Sequence, residues 1–166
     1  MADFRRALEK TLRWEGGLVN DKDDPGGLTN KGITLETYGQ YYDDGAEGLE
    51  HIGTEQVEHI YINGYWNRMR GDDFPCQKLA ELVFDTCVNC GTRTAVRMLQ
   101  RLLYVTDDGI VGMKTLEAVE KCCDNELLFD RYKAERLRYY GRLVEKNPRL
   151  SKFMRGWENR VNSFRW

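Results

Sequence analysis

Trp14-Glu15-Gly16-Gly17-Leu18-Val19-Asn20 and, three residues further on, Asp24-Pro25-Gly26-Gly27-Leu28-Thr29-Asn30-Lys31-Gly32-Ile33-Thr34 hold the densest chemistry in the chain. The residues before them predict a helix. Phe4, Leu8 and Leu12 recur at helical spacing, Asp3 stands where an N-cap belongs, and Gly16-Gly17 is expected to end it. At roughly 100° per residue, Phe4, Leu8, Leu12 and Glu15 fall within about 80° of one another, so a carboxylate sits on the stripe meant for the core. Burial disfavours its charged form and a helix C-terminus offers it no help; both favour the protonated acid. A carboxyl kept protonated near neutral pH is what general-acid attack on a glycosidic oxygen requires. The competing reading is a glutamate at a helix end that reaches out to water.

The loop after Glu15 bears on that choice. Asp21, Asp23 and Asp24 precede Pro25-Gly26-Gly27. A glycoside hydrolase needs a second polar group facing the acid across the scissile bond, and an inverting enzyme sets it further away to hold a water. A carboxylate loop just after the acid could supply it. Two other readings stay open: calcium binding, against which Pro25 stands where a third side-chain oxygen would be wanted, and plain turn and cap chemistry.

Outward from this stretch the chain reads as mainly α. Residues 18–33 form a polar loop with room for a short hairpin. Thr34 is placed to cap a helix to about Tyr42, ended by Asp43-Asp44-Gly45, and Thr54 to cap the next, with Val57, Ile60, Tyr61 and Tyr65 inward. Pro75 opens a helix carrying Leu79, Leu82, Val83 and Cys87, and Gly91-Thr92 breaks and recaps it before Ala95, Val96, Leu99 and Leu103. A turn at Thr106–Gly109 leads to a short helix near 113–123 and a long one from Asn125 to about Glu145. After Asn147-Pro148, a last helix aligns Phe153, Trp157 and Val161. The weak seam near Cys90-Gly91 divides residues 1–90 from 91–166, packed as one compact unit.

Composition narrows the function classes. With 166 residues, 41% of them hydrophobic and a net charge of −2, the chain has enough apolar material for a core and lacks the cationic excess that non-specific nucleic-acid binding runs on. The basic run Arg131 to Arg142 is interrupted by acids and reads as a solvated helix face. Cys76, Cys87, Cys90, Cys122 and Cys123 read as reduced, mostly buried thiols, because Cys87-x-x-Cys90 lacks a second well-spaced ligand pair for zinc. His51 and His59 lie far from any carboxylate cluster in sequence, so neither a metal nor another cofactor is expected. No stretch approaches a transmembrane length and no apolar leader opens the chain. Membrane insertion is therefore not expected, and nothing calls for more than a monomer.

The Glu15 to Thr34 block resembles the signature of glycoside hydrolase family 108. These are N-acetylmuramidases of phage and bacterial origin in the lysozyme-like superfamily, some of them described as secretion activator proteins. The resemblance implies a lysozyme-like fold and a peptidoglycan hydrolase that cuts the β-1,4 bond between N-acetylmuramic acid and N-acetylglucosamine. It implies Glu15 as the catalytic acid, with Asp24 orienting water or stabilising an oxocarbenium-like transition state and Thr29 as a further catalytic group. Asp24 follows Glu15 after eight residues, as in phage-type lysozymes, but Thr29 arrives one residue early, so Asp24, Asp23 and Thr29 remain the choices for its partner.

The second half is similar to the peptidoglycan-binding segment that accompanies this family. The similarity lies in Phe84-Asp85-Thr86-Cys87-Val88-Asn89-Cys90-Gly91, in the helix around Gln100, in Asp108-Gly109 and in Gly112-Met113-Lys114-Thr115-Leu116. Asn30, Tyr65, Trp66, Asp85 and Asn89 are the candidate substrate-binding residues. Tyr65 and Trp66 stack on sugars or pack in the core; Asp85 and Asn89, one helical turn apart, line the cleft or brace a loop. The implied setting is a phage or prophage endolysin made in the cytoplasm without a signal peptide, released through a holin-type hole to lyse bacteria from the periplasm or wall. A wall-binding or secretion-assisting protein without catalysis is the alternative.

Overall fold

In the computed structural model, residues 1–20, 28–122 and 125–166 are described. Asp3 caps helix α1 (Phe4–Leu12), its carboxylate accepting from the Arg6 N–H at 2.9 Å. A three-stranded antiparallel sheet follows: β1 (Val19–Asn20), β2 (Leu28–Asn30) and β3 (Ile33–Thr34), with Thr29 opposite Val19 on one side and Thr34 on the other. The expected hairpin therefore gains a third strand. Lys31 and Gly32, both at positive φ, turn β2 into β3.

Thr34 caps α2 as expected, but α2 stops at Tyr38 (Leu35–Tyr38). The run Asp43-Asp44-Gly45 leads into a further short helix, α3 (Gly45–Glu50), that periodicity over so few residues does not reveal. Helix α4 (Thr54–Tyr61) is capped from inside, the Gln56 side chain accepting from Gly53 N–H at 3.0 Å. It runs on through a π-helical turn, Ile62–Trp66.

The centre is α5 (Gln77–Cys90), against which α1, α6 (Thr92–Leu102) and α8 (Asn125–Lys146) pack. Gly91, at φ 84°, makes the break between α5 and α6, a backbone setting that costs glycine nothing. Leu79, Leu82, Val83, Phe84 and Cys87 of α5 are all fully buried. Phe4, Trp66 and Phe84 form an edge-on aromatic cluster with centroids 5.5–5.9 Å apart.

Helix α1 is held on α5 by an ion pair as well. Lys10 reaches the buried Glu81, which also accepts from Gln77 at 2.9 Å. Helices α7 (Met113–Lys121) and α9 (Ser151–Ser163) complete the C-terminal part. On α9 the expected inner face is only partly inner: Val161 is buried, Trp157 stacks on Tyr140, and Phe153 is exposed. Of the described cysteines only Cys87 is fully buried, and Cys123 lies outside the described residues. Among the described residues no helix is long and apolar enough to cross a membrane.

Candidate active site

Helix α1 ends at Leu12, earlier than Gly16-Gly17 would place it. Two turn hydrogen bonds, Trp14 N–H to Thr11 O at 3.0 Å and Glu15 N–H to Leu12 O at 3.3 Å, carry the helical curl on to Glu15. That continued curl keeps Glu15 on the face shared by the buried Ala7, Leu8 and Thr11. The Glu15 side chain is 16% exposed and does not reach into water. Gly16 and Gly17 have no described atom within 4 Å of an added Cβ, so neither is demanded by packing there.

Gly32 is demanded. A Cβ on it would lie 2.5 Å from Glu15 Oε2 and 2.7 Å from the Tyr61 hydroxyl, and its φ is +75°. The strand-to-strand turn thus presses bare backbone against the acid. Tyr61 fixes that turn by donating its hydroxyl to Lys31 O at 2.9 Å. Tyr65 lies beside Tyr61, ring centroids 5.6 Å apart. Burial raises both phenols above their ordinary range and the Glu15 charge raises them further, so the two rings stay neutral hydroxyl-bearing walls of the acid's pocket.

The other side of Glu15 is cationic. Arg160, from α9, donates from one terminal nitrogen to Glu15 Oε1 at 2.7 Å and to Asp85 Oδ1 at 2.7 Å. Its Nε lies 3.0 Å from both Asp85 oxygens. Asp85 accepts a further 2.7 Å bond from Arg136 of α8, and Arg136 Nε donates to the Tyr140 hydroxyl at 2.9 Å, which itself donates to Asn89. A relay of charged and polar groups therefore runs from Glu15 through α9, α5 and α8. Asp85 and Arg136 have no solvent exposure, and burying such charges is tolerated because every one has an opposite partner. Anion contact outweighs burial and holds Arg160 and Arg136 firmly protonated: desolvation pulls each guanidinium down, and the carboxylates beside it more than offset that.

Burial and the helix C-terminus, the two effects legible around Glu15 in sequence, do not include this cation, which comes from 145 residues away. A signal for the arginines was available. Tyr132, Arg136 and Tyr140 repeat every four residues on α8 and are all buried, the same anomaly of a charge on an apolar stripe that singled out Glu15. Arg160, next to buried Val161, carries a weaker form of it.

The other expected site residues scatter. Asp23 and Asp24 lie outside the described residues. Thr29 is on the central strand of the sheet. Asn30 is buried, its amide donating to Leu49 O at 3.0 Å and Glu50 O at 3.1 Å, so it ties the sheet to α3 and has no donor left for a sugar. Trp66 is fully buried with its indole N–H given to Asp72 at 2.8 Å; it is a core residue, and sugar stacking is ruled out by its lack of an open face. Asp85 is spent on two arginines, one of which passes on to Glu15. Asn89 braces Tyr140. Of the expected substrate-binding set, Tyr65, half-buried beside Tyr61, and Asn89, exposed near the end of α5, keep accessible surface.

Tyr65 also opens onto a groove of about 380 Å³, lined with it by Tyr41, Gln40, Arg68, Thr92 and Arg93. Tyrosine faces with amide, hydroxyl and guanidinium donors suit a polyhydroxylated strand, and Tyr65, which feels the Glu15 charge, joins the groove to the Glu15 pocket. Among the described residues no three His, Cys, Asp or Glu side chains gather as a metal site.

Comparisons with known proteins agree with this arrangement. Residues 8–91 match the family model for glycosyl hydrolase 108, and residues 94–162 match that of the predicted peptidoglycan domain. Among solved structures, SagA of Brucella abortus superposes with a TM-score of 0.82 at 31% sequence identity, over 97% of this chain and 90% of that one. No curated protein sequence matches the chain. The fold is the lysozyme-like one, mainly helical, with the small sheet beside the acid.

Proposed function

Because the chain belongs to the glycosyl hydrolase 108 family and is a peptidoglycan hydrolase, we propose that it is an N-acetylmuramidase in which Glu15 is the general acid. The observation that carries this reading is the setting of the Glu15 carboxyl. It is mostly buried, walled by Gly32, Tyr61 and Tyr65, held through Oε1 by Arg160, and neighboured in Tyr65 by a residue that also lines a polar groove. Among the described residues Oε2 has no hydrogen-bond partner, so Oε2 is the oxygen that carries the proton to the leaving glycosidic oxygen. Arg160 fixes the carboxyl's rotation, and the relay behind it fixes Arg160.

Asp24, in the sequence between β1 and β2, is the proposed partner that orients water or steadies the oxocarbenium-like transition state, with Asp23 and Thr29 as the rivals. Residues 1–90 supply the acid and 91–166 the hold on the wall in this proposal, but the division is not strict, since Arg160 reaches back to Glu15.

The test is Glu15→Gln assayed on purified peptidoglycan for new reducing ends, with mass spectrometry to identify the sugar that carries them. Expected is loss of at least about a hundredfold in rate, the range for removing a general acid, with retained pelleting on the insoluble wall. Full activity of Glu15→Gln, or reducing ends on N-acetylglucosamine, would refute the proposal. Wild-type protein that pellets without releasing ends would leave the wall-binding alternative standing.

A further inference from the structure

The groove that Tyr65 lines does not end at the mouth of α6. Thr94 lines both it and a second depression of about 180 Å³, formed by Arg97 and Arg101 of α6 with Tyr139 and Arg142 of α8. Arg101 in turn lines a third, of about 230 Å³, with Tyr104, Arg131 and Arg138. The three run on from one another along the α6–α8 seam. Arginines line every one of them and, among the described residues, no acidic side chain does, in a chain whose net charge is −2. Among the described residues, two carboxylates pair with these arginines, each shared by two cations: Asp107 by Arg97 and Arg101, Glu135 by Arg138 and Arg142. Arg68, Arg93 and Arg131 are exposed and have no ion-pair partner among the described residues. Tyr104, 90% exposed, takes φ 57° as the left-handed residue that ends α6, with Val105 N–H donating back to Gln100 O at 3.1 Å, and this stop leaves its ring lining the third depression.

Resting on the peptidoglycan hydrolase reading of the Glu15 site, we propose that this basic track receives the carboxylates of the peptide stems carried by the strand being cut. A strand engaged at Glu15 carries anionic stems away from its sugar backbone. The track begins at that same groove, and helix geometry sets Arg93, Arg97 and Arg101 about 6 Å apart along one face. A guanidinium pairs with a carboxylate through two parallel hydrogen bonds, which a lysine ammonium does not offer. The track therefore makes the enzyme selective for stem-bearing wall over bare glycan. Because its cations are exposed, that preference weakens as salt rises.

The test uses the full chain with Glu15→Gln, so that strands survive the binding step, on two solids: sacculi with their peptide stems, and the same glycan stripped of stems by an amidase. Expected is binding roughly fivefold to tenfold tighter to stem-bearing wall. Arg101→Gln with Arg131→Gln removes that preference while affinity for stripped glycan stays the same. Arg131→Glu alone, at an exposed position, gives the same direction without risk to folding. Equal wild-type affinity for the two solids overturns the proposal, as does an equal loss on both in the double variant. Vesicles of anionic phospholipid retaining the protein as tightly as stem-bearing wall would overturn it in favour of a phosphate surface. Release of reducing ends by wild-type protein, measured separately, tests the hydrolase reading; its absence would undo that reading without imitating any of these binding patterns.

Discussion

Gly32→Ala puts the proposed site under its sharpest test, because the residue has no chemistry of its own. The new Cβ would stand 2.5 Å from Glu15 Oε2, while ordinary contact begins at 3.4 Å, so the carboxyl must retreat by about 0.9 Å. Its retreat is resisted on the far side by Arg160, 2.7 Å from Oε1. The Tyr61 hydroxyl, 2.7 Å from the same Cβ, has to give as well, and it anchors the turn. A misplacement near 1 Å of a reacting group costs on the order of a hundredfold in rate, equal to about 2.7 kcal/mol of transition-state stabilisation. A Cβ at positive φ adds about 1–2 kcal/mol of folding strain, or roughly 2–8 °C in Tm for a chain of this size. The assay is kcat/KM for release of reducing ends, taken well below the Tm of each variant, with thermal unfolding followed in parallel. Gly17→Ala is the control, since no described atom lies within 4 Å of its added Cβ; its stability is expected within about 0.5 kcal/mol of wild type. Gly32→Ala with kcat/KM within about threefold of wild type would refute the reasoning, because the acid would then tolerate a displacement the geometry forbids.

Asp85→Asn removes the one anion between two buried guanidiniums, leaving Arg136 without a counter-charge and Arg160 with Glu15 alone, so urea unfolding should show about 3–5 kcal/mol less stability and a loss of activity through the loosened Arg160. A change under about 1 kcal/mol would mean that the relay is not the buried network described. Acid should loosen the Asp107–Ile110 turn: the Arg101 guanidinium holds Asp107, and the Ile110 N–H followed by Gln100 holds Asp108, below the usual carboxylate range. Folded-state values lowered in this way contribute stability that is present above the unfolded value near pH 3.9 and is lost as pH falls through the folded values. An NMR titration following the Ile110 amide should therefore show its midpoint below about pH 3.9; a midpoint at or above that value would contradict the two hydrogen bonds.

Much of the site was written locally. Glu15 was visible because a charge on an apolar stripe breaks a period of 3.6, and that period depends on neighbours only a few residues away. The same holds for the helices α5, α6 and α8, whose long runs repeat the pattern many times. Helix α3 was missed because six residues are too few to establish a period, and α2 was overextended because Tyr41 and Tyr42 continue its apolar face without continuing its backbone. Trp66 looked like a sugar platform because an aromatic says nothing in sequence about which surface it meets; the π-helical turn that ends α4 buries it against Phe4 and Phe84.

By itself, then, the sequence determined the mainly helical class, Glu15 as the carboxylate out of place on an apolar stripe, and the family that the Glu-Gly-Gly to Gly-Ile-Thr block identifies. These are properties of spacing along one chain segment. Only the tertiary structure decided what stands around the acid: Gly32 beneath it, Tyr61 and Tyr65 beside it, and Arg160 opposite it from 145 residues away. An ion pair has no period and no preferred separation in sequence. Its partners are chosen by where helices cross, and a buried charge shows in the chain only as an exception waiting for its counterpart.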